Sequence, residues 1–164
     1  EKKPGALLIL VPRHPERFEA VYQLAKQVFE RVALRRQTAL ENWCDFEVVI
    51  GDSMGELMHY YQAADLAFVA GSLIHRGGHN PIEPALLSKA ILVGPYTFNF
   101  ADITDQLLQA NGAIRCQDAL QLQELVVSLA NNASQRQRLG QLAFRFSEKN
   151  QGAVTRVLSE IDFH

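Results

Sequence analysis

Two patterns of apolar residues alternate along the chain. Leu7-Leu8-Ile9-Leu10-Val11, Phe46-Glu47-Val48-Val49-Ile50, Leu66-Ala67-Phe68-Val69-Ala70 and Ala90-Ile91-Leu92-Val93 are short runs closed by glycine or proline: Pro12, Gly51, Gly71 and Gly94-Pro95. A short run that is apolar on both faces reads as a buried parallel strand. Between these runs the apolar residues recur at helical spacing. Phe18, Val21, Tyr22, Ala25, Val28, Phe29 and Val32 predict a helix over 15–35, with Pro15 in its first turn. Gln37 to Leu40 reads as a further short strand.

Ser53 followed by Glu56 has capping-box spacing and predicts a helix from Met54 to about Ala63. Asn80 is the expected N-cap of the next helix, with Pro81 at its first position and an end near Ser88. A helix over 101–110, a strand at Ala113–Arg115, and helices over 118–131, 134–147 and 150–162 complete the reading. Strands alternating with helices mean βαβ units with right-handed crossovers. The expected class is α/β: a Rossmann-like, mainly parallel sheet with helices on both faces. No domain boundary, repeat or low-complexity segment stands out.

Composition narrows the function classes. With 164 residues, 48% hydrophobic and 21% charged, the chain is too apolar for a disordered protein. A formal net charge of −2 gives no basic surface of the kind that binds nucleic acid. Arg31, Arg35 and Arg36 read as charge placed near the end of the first helix. Cys44 and Cys116 have neither metal-ligand spacing nor a disulfide pattern, and both read as packing residues of a reducing compartment. No run is apolar and long enough to span a membrane, and no signal peptide is visible. The chain opens on Glu1 rather than Met, so the expectation is a soluble fragment whose N-terminal half, with any membrane anchor, lies elsewhere.

In an open parallel sheet, ligands bind beyond the carboxyl ends of the strands. Three segments stand there. In Pro12-Arg13-His14-Pro15, Arg13 can grip a phosphate or carboxylate in a bidentate manner, although an exposed turn arginine fits the same pattern. In Gly51-Asp52-Ser53-Met54-Gly55-Glu56, the amides of a helix start can meet an anion and Gly55 permits close approach. An ordinary capping box is the alternative. In Gly71 to Pro84, Gly77 and Gly78 bring amides near a ligand, Asn80 and Pro81 open a helix, and Glu83 in its first turn can accept from ribose hydroxyls. A glycine-rich turn with a dipole-matched glutamate is the bland reading of that segment. His75 and His79 lie in a loop without a third ligand, so no metal is expected. No Walker motif or Gly-x-Gly-x-x-Gly fingerprint follows the first strand.

Four motifs occur in order: Pro12-Arg13-His14-Pro15-Glu16-Arg17-Phe18; Gly51-Asp52-Ser53-Met54-Gly55-Glu56-Leu57; Gly71-Ser72 with Arg76-Gly77-Gly78-His79-Asn80-Pro81-Ile82-Glu83-Pro84; and Gly94-Pro95-Tyr96-Thr97-Phe98-Asn99-Phe100. Together they resemble the C-terminal half of 3-deoxy-D-manno-octulosonic acid (Kdo) transferase of Gram-negative bacteria. The resemblance implies the C-terminal domain of a GT-B fold, with residues 1–164 as a single Rossmann-like CMP-Kdo-binding domain and the N-terminal acceptor and catalytic domain absent. It implies inverting transfer of Kdo from CMP-Kdo to the lipid A precursor in lipopolysaccharide core biosynthesis.

Carried over by motif, Pro12, Arg13, Met54, Gly55, Glu56, Asn80, Pro81, Ile82 and Glu83 would contact CMP. Gly77, Gly78, His79 and Asn99 would lie near sugar or phosphate. No catalytic residue and no cofactor is expected in this chain. The acceptor and association with the cytoplasmic face of the inner membrane would come through the missing domain. A UDP-sugar-dependent GT-B transferase or epimerase domain is the alternative donor assignment, and a non-enzymatic module that binds a protein partner is the alternative class.

Overall fold

Side chains alternate between the two faces of a strand, so consecutive Val and Ile residues have no face to turn to water. They must be covered on both sides, and the centre of each sheet is where that happens. The computed structural model describes residues 5–161, with side chains through Asn150. The chain divides after Tyr60 into two compact units, although patterning shows no boundary there.

In the first unit, β1 (Leu8–Leu10), β2 (Val32–Leu34) and β3 (Val48–Ile50) form a parallel sheet in the order β1-β3-β2. Central β3 aligns Ile50 with Leu10 on one side and Leu34 on the other. Val48, Val49 and Ile50 are fully buried. Val49 packs on one face with Ala33, Trp43 and Tyr60. Val48 and Ile50 pack on the other with Ala25, Val21 and Tyr22 of α1 (Phe18–Lys26). Truncating Ile50 to alanine should cost about 2–5 kcal/mol, because neither face can collapse onto the cavity.

The second unit begins within α2 (Leu57–Ala63), at Tyr61. Here β4 (Leu66–Val69), β5 (Ala90–Val93) and β6 (Ala113–Arg115) are parallel in the order β4-β5-β6. Ile91 and Val93 of central β5 pack with Ala85 of α3 (Ile82–Leu86), Leu107 of α4 (Ala101–Gln109) and Ala143 of α6 (Ala133–Ile161). Ala90 and Leu92 face the opposite cluster, with Leu129 of α5 (Ala119–Asn131) and Leu139 of α6. A Cβ on Gly140 would overlap the Ser88 carbonyl, so α6 meets the turn after α3 backbone to backbone. The chain is thus α/β, with parallel sheets flanked by helices.

Several sequence expectations are corrected. The helix expected over 15–35 is a 3-10 turn at Pro15–Arg17, then α1 to Lys26, then strand β2. Val32 and Leu34 keep their apolar partners by pairing beside β3, while Val28 is exposed. The strand expected over 37–40 is replaced by 3-10 turns at Arg35–Gln37 and Leu40–Asp45. Arg35 and Arg36 therefore lie beyond a strand, where they pair with Glu56 and Asp52. The helix expected from Met54 begins at Leu57, since Gly55 sits at φ +80° and breaks the helical path. The helix after Asn80 begins at Ile82 and ends at Leu86, short of Ser88, which stands at φ +55°. The two final helices are one continuous α6; position 162 lies outside the described residues.

Candidate functional site

The candidate segments of the first unit leave adjacent strands at the same end. The amide of Gly51 donates to the Leu10 carbonyl at 2.8 Å, extending the β1–β3 ladder to the point where both loops depart. Beyond it, Pro12 is half-buried and Arg13 is exposed. Among the described residues, the Arg13 side chain makes no ion pair or hydrogen bond. Its guanidinium is thereby available to a phosphate.

Segment 51–56 is held by side chains. Buried Asp52 accepts from the Arg36 amide and from Arg36 Nε, each at 2.9 Å. Ser53 Oγ donates to the Glu56 carboxylate. The Tyr60 hydroxyl donates to Glu56 Oε2 at 3.0 Å, and one Arg35 nitrogen reaches Oε1 at 3.3 Å. The hydrogen bonds from Ser53 and Tyr60, with Arg35 nearby, hold the Glu56 carboxyl below its ordinary range. Ser53 and Glu56 thus bond each other directly rather than forming the reciprocal backbone bonds of a capping box. The amides of Met54, Gly55 and Glu56 donate to no described acceptor. The segment consequently presents backbone donors, while the Glu56 carboxylate is engaged within the loop.

The glycine loop of the second unit is built differently. Gly71, Gly77 and Gly78 stand at φ +76°, +84° and +72°, a region that L side chains rarely enter. Gly78 N–H donates to Gly71 O at 3.1 Å and His79 N–H to Ala70 O at 3.2 Å, closing the loop on itself. Buried Ser72 accepts from the Gly94 amide at 2.8 Å and donates to the Val69 carbonyl at 2.5 Å. Asn99 Nδ2 donates to Arg76 O at 2.9 Å and to Gly78 O at 3.3 Å, and the Asn99 amide donates to Gly77 O at 3.0 Å. Gly77, Gly78 and Asn99 are thus brought together. His79 is half-buried beside them, and His75 sits between the Tyr96 and Phe98 rings at 5.3 and 4.9 Å. The Asn80 side chain accepts from Ile82 N–H at 3.0 Å and tightens the turn into α3, around buried Pro81.

Glu83 follows in the first turn of α3. It is half-buried and makes no hydrogen bond or ion pair among the described residues. Burial pushes its carboxyl above the ordinary value. Burial, with the Glu83 charge adding to it, pushes the Tyr61 hydroxyl up to about 12. An acid that is partly desolvated and unpartnered is poised to accept from a ligand hydroxyl.

Sequence reasoning missed the roles of Ser53, Tyr60, Ser72 and Tyr61. The Ser53–Glu56–Tyr60 spacing was a usable signal, whereas nothing local announces a bond from Asn99 to a carbonyl more than twenty residues earlier. A separate depression lined by Asp65, Ser88, Lys89 and Arg136 belongs to helix capping. There Lys89 Nζ donates to Gln62 O, and Arg136 donates to the carbonyls of Leu129 and Ala130. Among the described residues no group of three or more His, Cys, Asp or Glu side chains could hold a metal ion, and no helix is long and apolar enough to cross a membrane.

No family model matches the chain. It is 40% identical over 158 residues to 3-deoxy-D-manno-octulosonic acid transferase of Haemophilus influenzae, covering 96% of this chain and 37% of that protein. It is 33% identical over 159 residues to the transferase of the same name from Bordetella pertussis, covering 97% of this chain and 37% of the relative. The chain therefore spans a little over a third of the length of these curated relatives. A crystal structure of the C-terminal CMP-Kdo binding domain of WaaA from Acinetobacter baumannii superimposes with a TM-score of 0.77 at 33% identity, covering 84% of this chain and 72% of that one.

Proposed function

Because this chain belongs to the 3-deoxy-D-manno-octulosonic acid transferase family, we propose that it is the donor-binding part of an enzyme that transfers Kdo from CMP-Kdo to a lipid A precursor. The transfer proceeds with inversion at the anomeric carbon, at the cytoplasmic face of the bacterial inner membrane. Residues 1–164 act as one donor-binding domain, and the catalytic base, the acceptor site and the membrane contact belong to the remainder of the full-length enzyme. Alone, this chain binds the donor nucleotide without turning it over.

The roles follow from the chemistry of each segment. Arg13 meets the phosphate, whose charge grows as CMP leaves, so its contribution strengthens along the reaction. The amides of Met54, Gly55 and Glu56 supply neutral donors to the nucleotide, and Pro12 contacts it as well. In the second unit, Asn80, Pro81 and Ile82 form the helix start, with Gly77, Gly78 and His79 preceding it towards sugar or phosphate, and Glu83 accepts from the ribose hydroxyls. No cofactor or metal takes part in donor binding.

The observation that carries this reading is Glu83: a half-buried carboxylate without a described partner, directly after a glycine loop and within the first turn of a helix. Calorimetric titration of CMP against UDP tests it. The expected result is saturable CMP binding with UDP weaker; a clear UDP preference would favour a UDP-sugar transferase or epimerase on the same fold. Mass-spectrometric detection of Kdo transfer by this chain alone would contradict the assignment of the catalytic machinery elsewhere.

A further inference from the structure

The Asn99 side chain lies where two readings compete. By motif it would touch the sugar, but its amide nitrogen is engaged with the carbonyls of Arg76 and Gly78 at 2.9 and 3.3 Å. Its own backbone N–H donates to the carbonyl between them, that of Gly77, at 3.0 Å. Three successive loop carbonyls are thus gripped by one residue. A Cβ on Gly77 would collide with the Asn99 side chain, so the side chain fills the space that the glycine leaves. Gly77 and Gly78 both stand in the left-handed region, where the chain has little inherent preference to remain. Outside partners must fix the loop, and Gly78 is only two residues ahead of Asn80, the turn residue that starts α3.

We propose that Asn99 is a positioning residue for donor binding: its amide holds the 76–78 loop so that the α3 start meets the nucleotide. The proposal rests on the donor-site reading given above. It assigns Asn99 a role through the loop rather than through the sugar. Only a neutral amide suits the place, because it donates two protons to two carbonyls at once. A carboxylate there would face those carbonyls with lone pairs and repel them. A protonated aspartic acid would restore one of the two bonds.

The probe is CMP, which carries no Kdo. A direct sugar contact leaves CMP affinity unchanged when Asn99 is replaced, whereas loop positioning lowers it. The measurement is CMP titration of the 164-residue chain as Asn99→Ala and Asn99→Asp, by calorimetry and by amide NMR. Two lost hydrogen bonds predict roughly tenfold weaker CMP binding for N99A. N99D is expected to be at least as weak near neutral pH and to recover part of the loss as pH falls and the new acid protonates, relative to wild type at the same pH. In the ligand-free variants the Gly77, Gly78 and Asn80 amide resonances should move while those of β5 stay in place.

CMP affinity unchanged in both variants overturns the positioning role. So does a loss in N99D with no pH-dependent recovery, or ligand-free loop resonances identical to wild type. If the unsubstituted chain fails to bind CMP, the donor-site reading itself has failed and the proposal falls with it. That outcome is recognisable because it appears before any substitution is made.

Discussion

Two loops in this chain begin alike and end differently. Each follows a buried strand and leads through a left-handed glycine and a polar segment into a short helix with an acid nearby. In the 51–56 loop the acid is consumed internally: Ser53, Tyr60 and Arg35 surround Glu56 and draw its pKa down. In the 71–83 loop the polar grip comes from Ser72 and Asn99, which bond backbone, and Glu83 is left unpartnered with its pKa drawn up. One loop spends its carboxylate on its own shape and offers amides. The other fixes its shape without its carboxylate, which stays unpartnered among the described residues. An acidic residue after a glycine turn is therefore no guide to its role until its hydrogen-bond partners are known.

The widest contrast should come from the glycines. Gly77→Ala meets both a forbidden φ and the Asn99 side chain, and should cost about 3 kcal/mol or more with loss of CMP binding. Gly55→Ala meets the same backbone restriction with nothing within 4 Å of the added carbon, and should cost only about 1–2 kcal/mol. Chemical denaturation of the two variants checks this; equal losses would break the contrast.

The acids come next. Glu83→Ala should weaken CMP binding by about 1–3 kcal/mol and leave the melting temperature nearly unchanged, and Arg13→Ala should behave in the same way. Glu56→Gln should reverse the pattern, lowering the melting temperature. Calorimetry and thermal melts on the same preparations compare them; a Glu83 variant that melts lower but binds CMP normally would make Glu83 a structural acid. Tyr60→Phe should cost about 0.5–1.5 kcal/mol through the lost bond to Glu56, read as a shift in the denaturation midpoint.

The smallest effects are in pH dependence, and the two acids should differ in sign. The raised Glu83 pKa means the folded state holds its proton more tightly than the unfolded chain does. Its stabilising contribution is full below the ordinary value of 4.5 and is lost as pH rises through the folded pKa. Glu56 does the opposite: its contribution is present above 4.5 and is lost as pH falls through its lowered pKa. Carboxyl-carbon NMR titration resolves both, and two curves displaced in the same direction would contradict the comparison.

Strand and helix order was legible because both faces of β3 and β5 are covered, and continuous Val and Ile runs permit no other placement. The stretch after Lys26 was not legible. Phe29 and Val32 satisfy helical spacing but reach the same core from a turn and a strand, so the periodicity could not separate the two. Separate helices were expected over 134–147 and 150–162, while the backbone runs on as one helix from Ala133 to Ile161. At the site, the residue types that mark each segment were visible, but which acid is engaged and which is not depends on Tyr60 and Arg35. Arg35 comes from a separate element twenty-one positions away. Spacing alone carries no trace of that pairing.

The central claim, that this chain holds the nucleotide of CMP-Kdo, is most directly tested by following its backbone amides by NMR during CMP titration. The account predicts saturable shifts at 12–13, 54–56 and 80–83, with UDP markedly weaker. Unmoved resonances in those segments at millimolar CMP would contradict it.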